Sequence, residues 1–340
     1  MTNNKQHRRL IWQLPFLVLL IVGTILIVRQ NATTPYQHHE GMVFGTTYHF
    51  TYKSNDDLHQ EMMAALQEVD RTLSAFNPES MVSAVNQGKQ PALNGMFREL
   101  YTLARQVSEE TDGAFDITVA PLVNAWGFGF KQGQMPGEKQ LDSLRQLVGY
   151  QKVEMKQLEG QYQIVKQAPG IMLDFSAIAK GYGSDRVADC LRRHGVTDFM
   201  VEIGGEIVVS GKNSKQEKWR IGVTKPADDS LAVNEELQTI LPLTDAGMAT
   251  SGNYRNFYYQ GGKKYAHTID PLSGRPVQHS LLSATVVAAN CATADAYATA
   301  FMVMGMEKAK ALLKRHSELK AYLIYADDKG QLQVWDNLTK

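Results

Sequence analysis

Four short stretches of this chain set acids, hydroxyls, a lysine and a histidine beside small residues, where a ligand can approach the backbone closely. Between Gly113 and Pro121, Asp116 and Thr118 follow Gly113, Ala114 and Phe115. Between Leu173 and Gly183, a strand-like run delivers Asp174, then Ser176, Ala177 and Lys180 at the mouth of a helical pattern. Small side chains there expose amides at the positive end of a helix dipole, which suits a diphosphate, and Lys180 adds a cation. His267 lies two residues before Ile269, and an imidazole titrates near neutrality, so it can act as acid or base. Asp295 and Thr299 stand four residues apart among alanines, so a helix puts a carboxylate and a hydroxyl on one face. Two oxygen ligands with positions left for water and phosphate oxygens make the environment that Mg²⁺ prefers. Each stretch also has a purely structural reading. Asp116 fits a capping acid, Asp174 and Lys180 a helix cap with a surface lysine, and Asp295 an acid in the first turn of its own helix. Spacing alone leaves both readings open.

Placing these groups takes helices and strands in mixed order. Thr46 to Tyr52 reads as an opening strand. Leu58, Met62, Leu66, Val69, Leu73 and Phe76 recur at three and four residues, which predicts an amphipathic helix. Phe97, Leu100, Leu103 and Val107 repeat the pattern, with Gly113 as a stop. Apolar stretches between Leu158 and Leu173, around Gly160 and Pro169, predict a strand pair. A helix from about Ala179 to His194 should end at Gly195. Phe199 to Ile203, Glu206 to Ser210 and Trp219 to Val223 are β-prone, with Gly204 and Gly205 marking a turn or bulge. Thr285 to Ala289 reads as a strand, and Thr293 to Gly305 as a helix capped by Thr293. Tyr322 to Tyr325 and Leu332 to Trp335 flank a hairpin signal at 327–330. The fold class is therefore α+β. No G-x-G-x-x-G joins a strand to a helix, which weighs against a Rossmann site.

A chain with 44% hydrophobic and 21% charged residues is globular, not disordered. Its formal net charge of +0 gives no electrostatic case for nucleic acid, so a phosphate-bearing ligand must be held locally. Cys190 and Cys291 are too few for a disulfide framework and are not spaced as a metal site. They read as two buried thiols, with a single bridge left open. The N-terminus differs from the rest. Lys5, Arg8 and Arg9 precede an uncharged apolar run from Leu10 to Val28. Roughly 20 apolar residues span a bilayer core of about 30 Å, and the basic cluster should stay in the cytoplasm. Residues 1–9 then form a cytoplasmic segment, 10–28 an anchor, 29–40 a tether and 41–340 the domain outside. A cleaved signal peptide is the competing reading.

Taken in order, the segments resemble the ApbE family, the FAD:protein FMN transferases, over about Gly41 to Trp335. Phe44 to Tyr48 looks like the family's opening M-G-T motif, with Phe in place of Met, and Leu73 to Asn77 is similar to its flavin-covering segment. Gly113 to Pro121, Asp174 to Gly181, Glu202 to Glu206, Ala249 to Tyr254 and Ala292 to Thr299 complete the match. The resemblance implies one T-fold-like domain of two related halves around an FAD site. It places Phe44, Phe76, Ala114, Phe115, Asp116, Asp174, Lys180 and Ile269 at that site. It also implies Mg²⁺ held by the Ala177 carbonyl, Asp295 and Thr299. The implied reaction moves FMN from FAD to a threonine of a partner protein and releases AMP, with Asp295 or His267 taking the hydroxyl proton. Acceptors in such a family carry a D-G-x-x-[ST]-[GS]-A-T-like segment in membrane electron-transport subunits. A Mg-dependent FAD diphosphatase and a non-catalytic flavin carrier are the alternative readings.

Overall fold

Phe44 and Gly45 both take positive φ, 52° and 74°. That is the backbone a two-residue hairpin needs, and here it joins Tyr36–Val43 (β1) to Thr46–Lys53 (β2). Left-handed backbone costs a phenylalanine more than a glycine, so Phe44 is held there by its surroundings. The computed structural model describes residues 15–24, 34–130, 135–226, 236–253, 257–260 and 263–338.

Residues 15–24 form a helix (α1) with largely exposed side chains. Among the described residues no helix is long and apolar enough to cross a membrane. Of the expected 10–28 anchor, 10–14 and 25–28 lie outside the described residues, as does the basic segment 1–9. The tether read over 29–40 needs a correction at its end, because Tyr36–Glu40 belong to β1. There Tyr36 packs edge-on against Trp219, and His39 stacks on Tyr52 and His59. Polar composition hid a strand that is anchored by its aromatic and imidazole rings.

After β2 come His59–Leu73 (α2), Met81–Asn86 (α3), Gly95–Glu110 (α4), Ala120–Ala125 (α5) and Glu138–Arg145 (α6). The hairpin Val153–Leu158 (β3) and Gln161–Lys166 (β4) turns at Gly160 and so starts earlier than the apolar spacing suggests. Pro169 lies beyond it. Then follow Ala179–Arg193 (α7), Phe199–Ile203 (β5), Glu206–Ser210 (β6), Trp219–Thr224 (β7), Leu237–Leu243 (β8) and Ala246–Gly252 (β9). Two short hairpins, Phe257–Gln260 (β10) with Lys263–Ala266 (β11) and Ile269–Asp270 (β12) with Arg275–Pro276 (β13), precede Leu281–Ala288 (β14). Cys291–Met304 (α8), Met306–Arg315 (α9), Lys320–Ala326 (β15) and Leu332–Asp336 (β16) close the chain.

Eight strands make the main sheet in the order β1-β2-β5-β6-β9-β14-β15-β16, all paired antiparallel. The order resolves into two halves joined at β6 and β9. Each half runs two strands, two packed helices and two strands: β1β2, α2 and α7, β5β6, then β9β14, α8 and α9, β15β16. The helices α3 to α6 are inserted in the first half and the hairpins β10 to β13 in the second. Helices cover one face of the sheet, where Phe50, Tyr52, Phe199, Ala284 and Leu323 meet Met62, Leu66, Val187 and Phe301. The β7–β8 hairpin covers part of the other, with Trp219, Ile221 and Val223 against Ile207, Val209 and Met248. Both faces are therefore buried near the middle, which is why β6 reads as a continuous apolar run after Glu206.

The helix carrying Asp295 is buried on every side, with apolar residues all round and only a weak amphipathic pattern. Its cap is Asn290, not Thr293: the Thr293 amide donates to Asn290 Oδ1 at 2.8 Å. Asn is as good a capping residue as Thr, and the apolar run simply extends further upstream than the capping signal suggests. Cys190 and Cys291 are both buried free thiols.

Candidate functional site

The start of α7 meets the start of α8 at Gly181. A Cβ there would sit 2.5 Å from the Cys291 carbonyl oxygen and 2.8 Å from Asp295 Cβ, so only glycine lets the helices come this close. The contact diverts a hydrogen bond. The Gly181 amide donates to Asp295 Oδ2 at 3.0 Å, and the Ala177 carbonyl, four residues earlier, accepts no hydrogen bond among the described residues. Ala177, Asp295 and Thr299 all line one cavity of about 840 Å³. Volumes of this order suit a small-molecule ligand. Burial raises the Asp295 carboxyl above the ordinary range, opposed by the positive charge of Lys180. Thr299 shares a 3.1 Å hydrogen bond with Ser251 Oγ on β9.

Lys180 and Glu206 form an ion pair on the wall of the same cavity. Burial pulls the ammonium towards neutrality, but Glu206 and Asp295 more than offset this, so Lys180 stays charged. Glu206 is buried, and its Oε2 has no hydrogen-bond partner among the described residues. Burial pushes its carboxyl up to about 7 against the pull of Lys180. From sequence, Glu206 stands only as the end of a motif and the start of a strand, with no role at the site. An acid opening an otherwise apolar strand straight after two glycines was the available signal.

The two motif loops are tied together, since the Asp174 amide donates to the Ile117 carbonyl at 2.7 Å. Asp116 lines the cavity, yet both its oxygens are committed to protein. Oδ1 accepts from the amide and hydroxyl of Thr118 at 2.7 and 2.6 Å, and Oδ2 from the Tyr150 amide at 2.7 Å. These bonds brace the loop on itself and tie it to Tyr150, while α5 carries no side-chain cap, and burial raises the Asp116 carboxyl. Asp174 accepts from the Ser176 amide at 2.8 Å and from its hydroxyl, and its carboxyl too is raised by burial. Ala114 and Phe115 also face the cavity, although Phe115 is only 2% exposed.

His267, on the β11–β12 connection, and Ile269, at the start of β12, reach the same space. The His267 ring stands edge-on to Phe128 with centroids 6.5 Å apart. Phe128 is a cavity residue that the sequence reading passes over. Phe44 is set apart from the rest. It lines an adjoining cavity of about 610 Å³, and Phe76, Ser176 and Lys180 border both spaces. Phe76 is 64% exposed and meets Phe130 edge to face.

A sheet of two like halves, with the buried acids Asp116, Glu206 and Asp295, an ammonium and the start of α7 on one cavity, defines an α+β protein with a ligand-sized site. Comparison with known proteins places that class. The ApbE family model matches residues 44–323. The chain is 35% identical over 303 residues to the FAD:protein FMN transferase of Haemophilus influenzae, covering 85% of this chain and 86% of that one. It is 36% identical over 302 residues to the protein of the same name from Vibrio cholerae, covering 86% and 88%. The solved flavin transferase ApbE from Vibrio cholerae superposes with a TM-score of 0.80 at 34% identity, over 90% of this chain and 98% of that chain. The apo flavinyl transferase ApbE of Pseudomonas stutzeri gives 0.79 at 33% identity, over 91% and 96%. This chain belongs to the ApbE family.

Proposed function

We propose that this protein is an FAD:protein FMN transferase that uses Mg²⁺ and esterifies a threonine hydroxyl of a partner protein with the FMN half of FAD, releasing AMP. The observation that carries the reading is the meeting of the Ala177 carbonyl, Asp295, Thr299 and Lys180 on one ligand-sized cavity, in a chain related along most of its length to proteins of that name. The donor set fits the metal: a carbonyl, a buried carboxylate and a hydroxyl are the hard oxygen ligands Mg²⁺ takes. Bound there, the ion would neutralise charge developing on the diphosphate oxygens.

The chain's own groups account for the rest. Lys180 supplies a fixed positive charge to the diphosphate, and its own amide offers a donor beside it, the neighbouring amides of Ala179, Gly181 and Tyr182 being bonded to Phe175, Asp295 and Ile178. The loop from Ala114 to Asp116 is stiffened by the Asp116 hydrogen bonds and forms a rigid wall for the flavin nucleotide. The threonine oxygen bonds to the FMN phosphorus, and the bond from that phosphorus to the bridging oxygen breaks, so that AMP leaves with the bridging oxygen. The hydroxyl proton passes to His267 or Asp295. Residues 10–28 anchor the chain in the inner membrane, with the catalytic domain on the periplasmic side. There it meets an acceptor with a D-G-x-x-[ST]-[GS]-A-T-like segment in a membrane electron-transport subunit.

The test is to incubate the protein with FAD, Mg²⁺ and a peptide carrying that segment, then to weigh the peptide and assay AMP. FMN on the threonine with one AMP per transfer is the expected result. FMN and AMP formed with the peptide unmodified would identify a diphosphatase instead, and FAD retained without AMP a carrier.

A further inference from the structure

Lys180 feels the charge of two buried carboxylates and, among the described residues, pairs with one of them. Its ammonium contacts Glu206 Oε1, while Asp295, whose charge also acts on it, is bonded through Oδ2 to the Gly181 amide. Asp295 Oδ1 makes no hydrogen bond among the described residues. Glu206 is 3% exposed, and its second oxygen has no partner among the described residues, an expensive state for a buried carboxylate. The pair is not explained by packing alone, because apolar residues of similar volume would fill β6 at lower cost.

We propose that Glu206 is a positioning residue that holds the Lys180 ammonium away from Asp295 and so keeps that carboxylate available to a divalent cation. The inference rests on the magnesium reading above. With Glu206 ionised, the cluster of two carboxylates and one ammonium carries one net negative charge, which draws in a cation. With Glu206 neutral, the remaining opposite charges are Lys180 and Asp295. At low dielectric they attract strongly, and the ammonium then occupies the oxygen the cation needs. Lys180 keeps its place for the diphosphate in the first case and loses it in the second. One carboxylate thereby assigns two neighbours to separate tasks.

The experiment measures Mg²⁺ binding to the FAD-free full-length chain by calorimetry, alongside thermal melts and FAD affinity. Glu206→Gln preserves shape and removes the charge. It should weaken Mg²⁺ binding by about tenfold or more, the usual range when a residue supporting a metal ligand is lost. Lys180→Met combined with Glu206→Gln removes the competing ammonium and should recover most of that loss, although FAD affinity falls. Glu206→Asp keeps the charge and should retain more Mg²⁺ affinity than the Gln variant, whereas a packing role would penalise the shorter Asp as much or more. Wild-type Mg²⁺ affinity in Glu206→Gln overturns the proposal. So does a double variant as weak as the single one, which would make Glu206 itself a ligand or a folding element. A wild-type chain that binds no Mg²⁺ removes the magnesium reading and this inference together, while intact Mg²⁺ binding without FMN transfer removes the transferase reading alone.

Discussion

At Thr299 a valine copies the shape of the side chain while deleting its hydroxyl, so packing and ligation come apart there. Thr and Val are both β-branched and have similar helix propensities. Replacement leaves Ser251 without its 3.1 Å partner, which should cost roughly 1 kcal/mol. If the hydroxyl holds Mg²⁺, Thr299→Val should raise the magnesium needed for half-maximal transfer and cut the rate by about tenfold or more. Transfer rate against magnesium concentration, with a melt as control, decides it, and a wild-type curve would remove Thr299 from the metal site. Asp295→Asn tests the companion residue by a different readout. A metal held there would chiefly stabilise charge formed during transfer, so turnover should fall far more than FAD affinity. Equal losses in both would contradict that role.

The element that governs these residues is α8, and its position is set from outside. Asp185 on α7 accepts the Cys291 and Ala292 amides at 2.8 Å each, clamping the N-terminus of α8 against α7. Gly181 lets the two helices touch, and Gly247 on β9 does the same behind them, since a Cβ there would lie 2.3 Å from Asn290 C and from Cys291 N. Gly181→Ala should therefore push α8 out and carry Asp295 with it. Overpacking of this kind costs about 1–3 kcal/mol, a fall in Tm of several degrees, and transfer should drop more steeply than the melt alone would suggest. Normal transfer at a lowered Tm would show that α8 tolerates displacement. Asp185 adds a pH signature. Burial pushes its carboxyl up to about 7, so the folded state holds this proton more tightly than the unfolded chain does. The resulting stability is present in acid and is lost as pH rises from the ordinary carboxylate range through about 7. The Tm of Asp185→Asn minus that of the wild type should grow across this window, and a flat difference would mean the carboxyl titrates normally.

For the molecule as a whole, the sheet begins at Tyr36, not at residue 41 where the sequence places the start of the domain. A chain begun at residue 34 keeps β1 paired with β2 over its full length and keeps the Tyr36 hydroxyl on the Lys212 carbonyl at 2.8 Å. One begun at residue 44 exposes the edge of β2 and uncovers Trp219. It should melt lower and aggregate more, because an unpaired strand edge is a template for other chains. Equal melting temperatures would make β1 dispensable. With residues 1–33 present, the protein should sediment with membranes and resist carbonate extraction. A shortened soluble product in the periplasm would show that the 10–28 segment is removed instead.

Local periodicity and turn chemistry carried much of the fold into view. The strands at 46–52, 199–203 and 206–210, the helices over 59–73 and from 179, and the hairpin at 327–330 are legible because hydrophobic spacing and glycine placement act within about ten residues. Yet α2 stops at Leu73, and Phe76, which fits the same spacing, lies exposed beyond it. The acids, the lysine and the hydroxyls were legible as candidates for the same reason. Tertiary structure alone decided which of them meet, what each already bonds, and which residue had been overlooked. Asp295 receives its hydrogen bond from Gly181, 114 positions away. Asp116 spends its oxygens on Thr118 and on Tyr150, 34 positions on. Glu206 gains its meaning from Lys180, its ion-pair partner on the cavity wall. The partner of a buried polar group is chosen by how helices and strands pack, and no pattern along one short stretch of chain contains that choice.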